Sequence, residues 1–194
     1  MNIDTYTPGI HILCGCMFSG KTTQLLSILS VASQTGSRAV LVGTRLDTRA
    51  TTTHSTHNPL LKGKLEGGAI EEYRVSTLDD LPKFENRCVI GIDEGQFFSL
   101  APVLRLVQEK HCVIISMLNG DSNRKSFGDL AMILPHADAI TQLKGVCRLC
   151  ANGGVYSPAS FTKRLTASAD QVCIGGADKY ISVCRKCFEA RYYC

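Results

Sequence analysis

Gly15-Cys16-Met17-Phe18-Ser19-Gly20-Lys21-Thr22 sets two glycines, a lysine and a hydroxyl at the spacing G-x-x-x-x-G-K-[ST]. Glycines let the backbone curl so that successive N–H groups point inward and form an anion-binding nest. A helix opening at the end of such a loop adds its positive end to the same phosphates. Lys21 is then expected to reach the β- and γ-phosphates, and the Thr22 hydroxyl to ligate Mg²⁺. Further along, Ile90-Gly91-Ile92-Asp93-Glu94 is an apolar run ending in two carboxylates. An acid at such a strand end holds Mg²⁺ beside a phosphate loop. Adjacent strand residues point to opposite faces, so Asp93 and Glu94 can divide two jobs: metal ligand and general base for an alcohol acceptor. The alternative for this pair alone is two solvated acids.

Ten cysteines are the unusual feature of the composition. Four of them form two C-x-x-C knuckles, Cys147 with Cys150 and Cys184 with Cys187, separated by 33 residues. Two knuckles complete a tetrahedral Zn²⁺ site, and a site with no open position is structural; the alternatives for the same four thiols are a redox dithiol or two disulfides. The gap is longer than that of a common zinc ribbon, so the insert is expected to carry something more. It contains Cys173-Ile174-Gly175-Gly176-Ala177-Asp178-Lys179-Tyr180, which suits either a ligand-covering lid or a plain hairpin turn. Cys14, Cys88 and Cys112 lie in apolar runs and read as small buried hydrophobes. Cys16 is open to two readings, a thiol activated at a helix N-terminus or inert packing.

The elements that must position these groups alternate. Strands are expected at Ile10–Cys14, Ala39–Val42, Cys88–Asp93 and Cys112–Leu118. Helices are expected at Thr22–Thr35, where Leu25, Leu26, Leu29 and Ala32 recur at helical spacing, and at Ser99–Lys110 with Pro102 near its start. Strand–helix alternation implies a parallel α/β sheet covered on both faces. The rhythm breaks from Thr44 to about Ile70, a polar loop, and again from Gly145 onward. A boundary near Leu143 divides residues 1–143, a nucleotide-binding domain, from residues 144–194, a zinc-binding domain carrying the lid.

At 194 residues the chain can bury roughly 70% of its unfolded surface, enough for a full core without disulfides. No apolar stretch approaches membrane-spanning length. The first six residues lack a basic n-region and an apolar h-region, so the expectation is a cytoplasmic protein in a reducing compartment. A formal charge of +4 is too mild to argue for nucleic acid.

Met17 to Thr22, Asp93-Glu94-Gly95-Gln96-Phe97-Phe98, and the two knuckles bracketing Ile174 to Tyr180 together resemble the cellular-type (type II) thymidine kinases. The resemblance spans about Gly9 to Phe188. It implies a P-loop (RecA-like) sheet with a C-terminal zinc-binding lid domain. It also implies transfer of the γ-phosphate of ATP to the 5′-hydroxyl of thymidine, with deoxyuridine as a possible alternative acceptor, giving dTMP in nucleotide salvage. By resemblance Glu94 is the general base and Thr22 and Asp93 serve Mg²⁺. Asp47, Arg49 and Gln96 accompany the phosphate loop. The nucleoside pocket would comprise Met17, Phe97, Leu118, Ser122, Phe127, Thr162 and Tyr180. Main chain at Gln171, Val172, Cys173, Ile174 and Gly175 would read the thymine edge. A homotetramer and dTTP feedback inhibition belong to the same implication. With zinc clamping the base of the lid, Cys184→Ser is expected to disorder the lid and cripple thymidine binding while the phosphate loop still binds ATP. Ser122 stands where the family more often has an aromatic, and Cys16 where it more often has proline.

The competing class is a zinc-ribbon nucleic-acid-binding ATPase. Lys163, Arg164, Lys179, Arg185, Lys186 and Arg191 surround the cysteines, with Phe161, Tyr180, Phe188, Tyr192 and Tyr193 among them. Glu94 discriminates, since hydrolysis without a nucleoside does not need an alcohol's base.

Overall fold

Apolar β-branched runs build the centre of the molecule, described at residues 5, 7–46, 69–165 and 175–190 of a computed structural model. Six strands form one sheet: β1 (Gly9–Gly15), β2 (Arg38–Thr44), β3 (Glu71–Val75), β4 (Cys88–Ile92), β5 (Cys112–Leu118) and β6 (Ala139–Leu143). Their order is β3-β2-β4-β5-β1-β6 and every neighbouring pair is parallel. All five residues of β4 are buried, as parallel strands covered on both faces require.

Alternation along the strands sorts side chains into two cores. On one face α1 (Lys21–Gln34) packs Leu25, Leu26, Leu29 and Ala32 against Leu13, Leu41, Val89 and Ile114. On the other, Ile12, Val42, Ile90, Ile92, Val113 and Ile115 meet Val103 and Leu106 of α2 (Ala101–Gln108). Each such fully buried side chain contributes about 1.5–3 kcal/mol. Gly91 sits where a Cβ would lie 2.8 Å from Leu29 Cδ1 and 2.9 Å from Leu25 Cδ1, so its bareness lets α1 lie close to β4. Val89, Gly91 and Asp93 share that α1 face, which delivers Asp93 to the start of α1. Cys14, Cys88 and Cys112 are buried, as expected of small hydrophobes.

Two strands of this sheet have no counterpart in the sequence reading. β3 and β6 are the sheet edges, where most residues are half-exposed or exposed and polar side chains interrupt the apolar ones. Arg38 ties the β3 edge down, donating to the two Glu71 carboxylate oxygens at 2.6 and 2.8 Å.

After β5 come a short helix α3 (Leu130–Ile133) and β6. The chain then changes character: β7 (Gly145–Val146), α4 (Arg148–Asn152), β8 (Pro158–Ala159), β9 (Phe161–Arg164), β10 (Tyr180–Val183) and α5 (Arg185–Glu189). β7 pairs with β8 and β9 with β10, both antiparallel. Among the described residues no helix is long and apolar enough to cross a membrane.

Candidate active site

Gly15 ends β1 and Lys21 opens α1, so residues 16–20 form the loop between strand and helix. Phe18 (φ 62°) and Gly20 (φ 84°) adopt left-handed backbone, the alternation that turns successive N–H groups inward. Lys21 is buried, and its Nζ donates to the Cys16 carbonyl at 2.8 Å, which holds the ammonium across the loop. Burial lowers its pKa, opposed first by the charge of Glu94 and then by that of Asp93.

Asp93 follows the last residue of β4 and is tied down by three neighbours. Its N–H donates to the Val42 carbonyl at 2.9 Å. Thr22 Oγ1 lies 3.1 and 3.0 Å from its two carboxylate oxygens, and Ser116 Oγ donates at 2.8 Å. Desolvation, then repulsion from Glu94, pushes the Asp93 carboxyl up to about 6. A buried acid held in this way gains most when a cation arrives. The hard oxygens of Thr22 and Asp93 are the donor types that Mg²⁺ selects, so the residues fit that ion.

Glu94, two residues beyond the end of β4, adopts left-handed backbone (φ 54°), which turns the chain out of the strand direction. Gln96 Nε2 donates to Glu94 Oε2, while Gln96 Oε1 accepts from the Leu118 N–H at 3.0 Å. Gln96 therefore clamps the acid to the end of β5. Phe97 and Phe127 meet edge to face at 5.7 Å between ring centres. The stretch carrying Phe127 is anchored by Asp129, whose carboxylate accepts from the Leu100 N–H at 2.9 Å just ahead of α2. Ser122 is half-buried in a tight turn closed by Asp121, whose Oδ1 accepts from the N–H groups of Asn123 and Lys125.

Gly128, which the sequence reading did not single out, packs its bare Cα directly against Gln96. It has φ +66°, and a Cβ there would lie 2.7 Å from both Cα and the carbonyl oxygen of Gln96. Gly128→Ala is expected to cost about 1–3 kcal/mol of stability. By displacing Gln96 it should also lower turnover about 10–100-fold, the effect of a misplaced catalytic group. A melting curve and a kcat measurement check both. Ser116 was missed as well, because a serine inside an apolar strand reads as core. Only the position of its partner Asp93 reveals the role.

Cys147, Cys150, Cys184 and Cys187 converge, with all four sulfurs within 4.8 Å of one another. Zn–S bonds of about 2.3 Å in a tetrahedron set sulfurs about 3.8 Å apart. Cys150 Sγ lies 3.9 Å from Cys184 Sγ and 3.6 Å from Cys187 Sγ, so the donor set fits the ion. The Cys187 backbone N–H holds the Cys184 thiol down to about 6, while burial pushes Cys187 up. Cys16 joins this core with Cys147, Ala159, Val183 and Cys187. It is fully buried and burial raises its thiol pKa, so of its two readings packing prevails.

The remaining pocket candidates lie nearby. The Met17 N–H donates to Thr162 Oγ1 at 3.0 Å. Tyr180, buried on β10, accepts from Arg164 at 3.0 Å and lies under its guanidinium, and its N–H donates to the Gly176 carbonyl. Gly175 is half-buried at the start of that turn. Asp47, Arg49 and Gln171 to Ile174 lie outside the described residues.

The thymidine kinase family model matches residues 8–188. The cytosolic thymidine kinase of Gallus gallus is 36% identical over 182 residues, covering 92% of this chain and 76% of its own. Thymidine kinase 1 of Dictyostelium discoideum is 34% identical over 192 residues, covering 93% and 78%. The thymidine kinase of Myxoma virus (strain Uriarra) is 33% identical over 186 residues, covering 94% and 97%. The match runs from the first strand of the sheet through the second cysteine knuckle, and the chain belongs to the thymidine kinase family.

Proposed function

We propose that this protein transfers the γ-phosphate of ATP to the 5′-hydroxyl of thymidine, giving dTMP and ADP, with deoxyuridine as an alternative acceptor. The observation that carries this reading is Glu94, clamped by Gln96 beside the end of β5 and one residue from the buried Asp93. In this reading the Glu94 carboxylate takes the 5′-hydroxyl proton as the oxygen attacks phosphorus. The bond from the γ-phosphorus to its bridging oxygen breaks, and ADP leaves with the electron pair. Lys21 and the N–H groups of residues 15–22 offset the charge on the phosphates. Thr22 and Asp93 would hold Mg²⁺, which when bound neutralises phosphate oxygens. Asp47 and Arg49 accompany the phosphates. Met17, Phe97, Leu118, Ser122, Phe127, Thr162 and Tyr180 enclose the base, with main chain at 171–175 reading its edge. Residues 1–143 and 144–194 act as nucleotide and lid domains. The four cysteines hold a structural Zn²⁺.

The salvage role, the cytoplasmic location, a homotetramer and inhibition by dTTP complete the proposal. The location has support in the cytosolic relatives of Gallus gallus and Cricetulus griseus. Against a nucleic-acid surface stands the use that the basic residues already have. Lys163 Nζ donates to the carbonyls of Cys187 and Ala190, Arg164 to the Tyr180 hydroxyl, and Arg185 stacks on Phe161. The deciding experiment is phosphoryl transfer from ATP to a panel of nucleosides, with single-stranded DNA added as competitor. Thymidine-dependent ADP production indifferent to DNA is the expected result. ATP hydrolysis that needs DNA and no nucleoside overturns the reading.

A further inference from the structure

The phosphate loop is held from outside by the cysteine-rich module. The Gly145 N–H is hydrogen-bonded to the Cys16 sulfur, and Cys16 Sγ reaches the Ala159 carbonyl at 3.5 Å. One residue on, the Met17 N–H donates to Thr162 Oγ1 at 3.0 Å. Asn119 makes a bridge: its N–H donates to the Gly15 carbonyl at 3.3 Å and its Nδ2 to the Ser160 carbonyl at 3.1 Å. Gly15 at the end of β1 and the first two residues of the loop, Cys16 and Met17, are thus each tied to the stretch Ala159–Thr162, directly or through one side chain. That stretch is itself fixed by the cysteines. Cys147 N–H donates to the Ser157 carbonyl at 2.8 Å, and Ala159 shares a buried core with Cys147, Val183 and Cys187.

We infer that the zinc module is the outer wall of the triphosphate site, so that metal at the four cysteines sets nucleotide affinity as well as nucleoside affinity, with Thr162 and Asn119 as the positioning residues that couple them. This rests on the reading of residues 15–22 as the ATP site. It departs from the expectation that only the lid depends on the cysteines. An anion nest works through N–H groups that are aimed in advance, and the backbone of residues 15–17 has no helix of its own to aim it. Satisfying the Met17 N–H from outside also sets which loop amides remain turned inward. Cys16 gives this chain a polarizable, hydrogen-bonding contact to the module at a position where proline has no side-chain donor.

The test is equilibrium binding of N-methylanthraniloyl-ATP with Mg²⁺, followed by fluorescence, on the full chain, with zinc content measured for every sample. Thr162→Val and Asn119→Ala each remove one tie and keep all four cysteines. Each is expected to retain one zinc per chain and to weaken nucleotide binding about 3- to 10-fold, the worth of one net hydrogen bond. Thr162→Ser, which restores the acceptor, should return the affinity to that of the parent. Withdrawing zinc with a chelator should weaken nucleotide binding by about tenfold or more, since all the ties loosen together. Wild-type affinity in Thr162→Val at full zinc, with only thymidine KM raised, overturns the coupling and leaves Thr162 as a pocket residue. Unchanged affinity after zinc withdrawal overturns it too. If the parent protein itself binds no nucleotide, the ATP-site reading falls first and the coupling with it.

Discussion

Glu94→Gln is expected to bind ATP and thymidine normally and to lose turnover by about 10²–10⁴-fold, the range that a positioned general base contributes. The substitution isolates chemistry because of how Glu94 is held. Gln96 Nε2 donates to a Glu94 carboxylate oxygen, and a glutamine at 94 still offers a carbonyl oxygen to that donor. Gln96 then keeps its own bond to the Leu118 N–H, so the ends of β4 and β5 stay in register. What disappears is the capacity to take a proton. The measurement is kcat against the dissociation constants of both substrates. A variant with near-parental kcat removes Glu94 from the role of base, whatever its position.

The distance between what the chain announces and what it hides has a physical pattern. β1, β4 and β5 are legible because central parallel strands are buried on both faces and read as unbroken apolar runs. β3, Glu-Glu-Tyr-Arg-Val over 71–75, and β6, Ala-Ile-Thr-Gln-Leu over 139–143, face solvent on one side, and their polar residues resemble loop. At the site, glycines, lysine and acids declare themselves by type and spacing. Ser116, Asn119 and Gly128 do not, since each matters only through a partner distant in sequence: Asp93, Ser160 and Gln96. Cys16 shows the same limit from the other direction. Its place in a phosphate loop leaves an activated thiol and inert packing both open, and the module that decides for packing lies more than a hundred residues downstream.

Asp93→Asn is expected to move stability and activity in opposite directions. The folded state raises the Asp93 carboxyl from 3.8 to about 6, by desolvation first and then by the Glu94 charge. A carboxyl raised on folding stabilises the fold while protonated. That contribution is full below about pH 4 and is lost as pH rises through 6. At pH 7.5 the metal-free protein therefore carries an ionised, buried carboxylate at a cost of about 1–3 kcal/mol. Asparagine removes the charge and keeps both contacts: its oxygen, at the place of the carboxylate oxygen that only Thr22 approaches, accepts from Thr22, and its Nδ2, at the place of the other, can donate to Ser116 Oγ. The metal-free variant should melt about 3–10 °C above the parent at pH 7.5 and show little advantage at pH 4.5, where Asp93 is already protonated. With Mg²⁺ and ATP the order reverses, because the parent gains the binding energy of the ion and the variant does not. Turnover should fall by about 10²–10³-fold, the loss that follows removal of one group stabilising charge on the phosphates. Melting curves at the two pH values, with and without Mg²⁺, read the first effect, and kcat reads the second. Equal melting temperatures at pH 7.5 without metal would mean that the carboxylate is not strained in the fold. The stabilisation would be the measure of what the sheet gives up to keep a carboxylate where a hydrophobic strand ends.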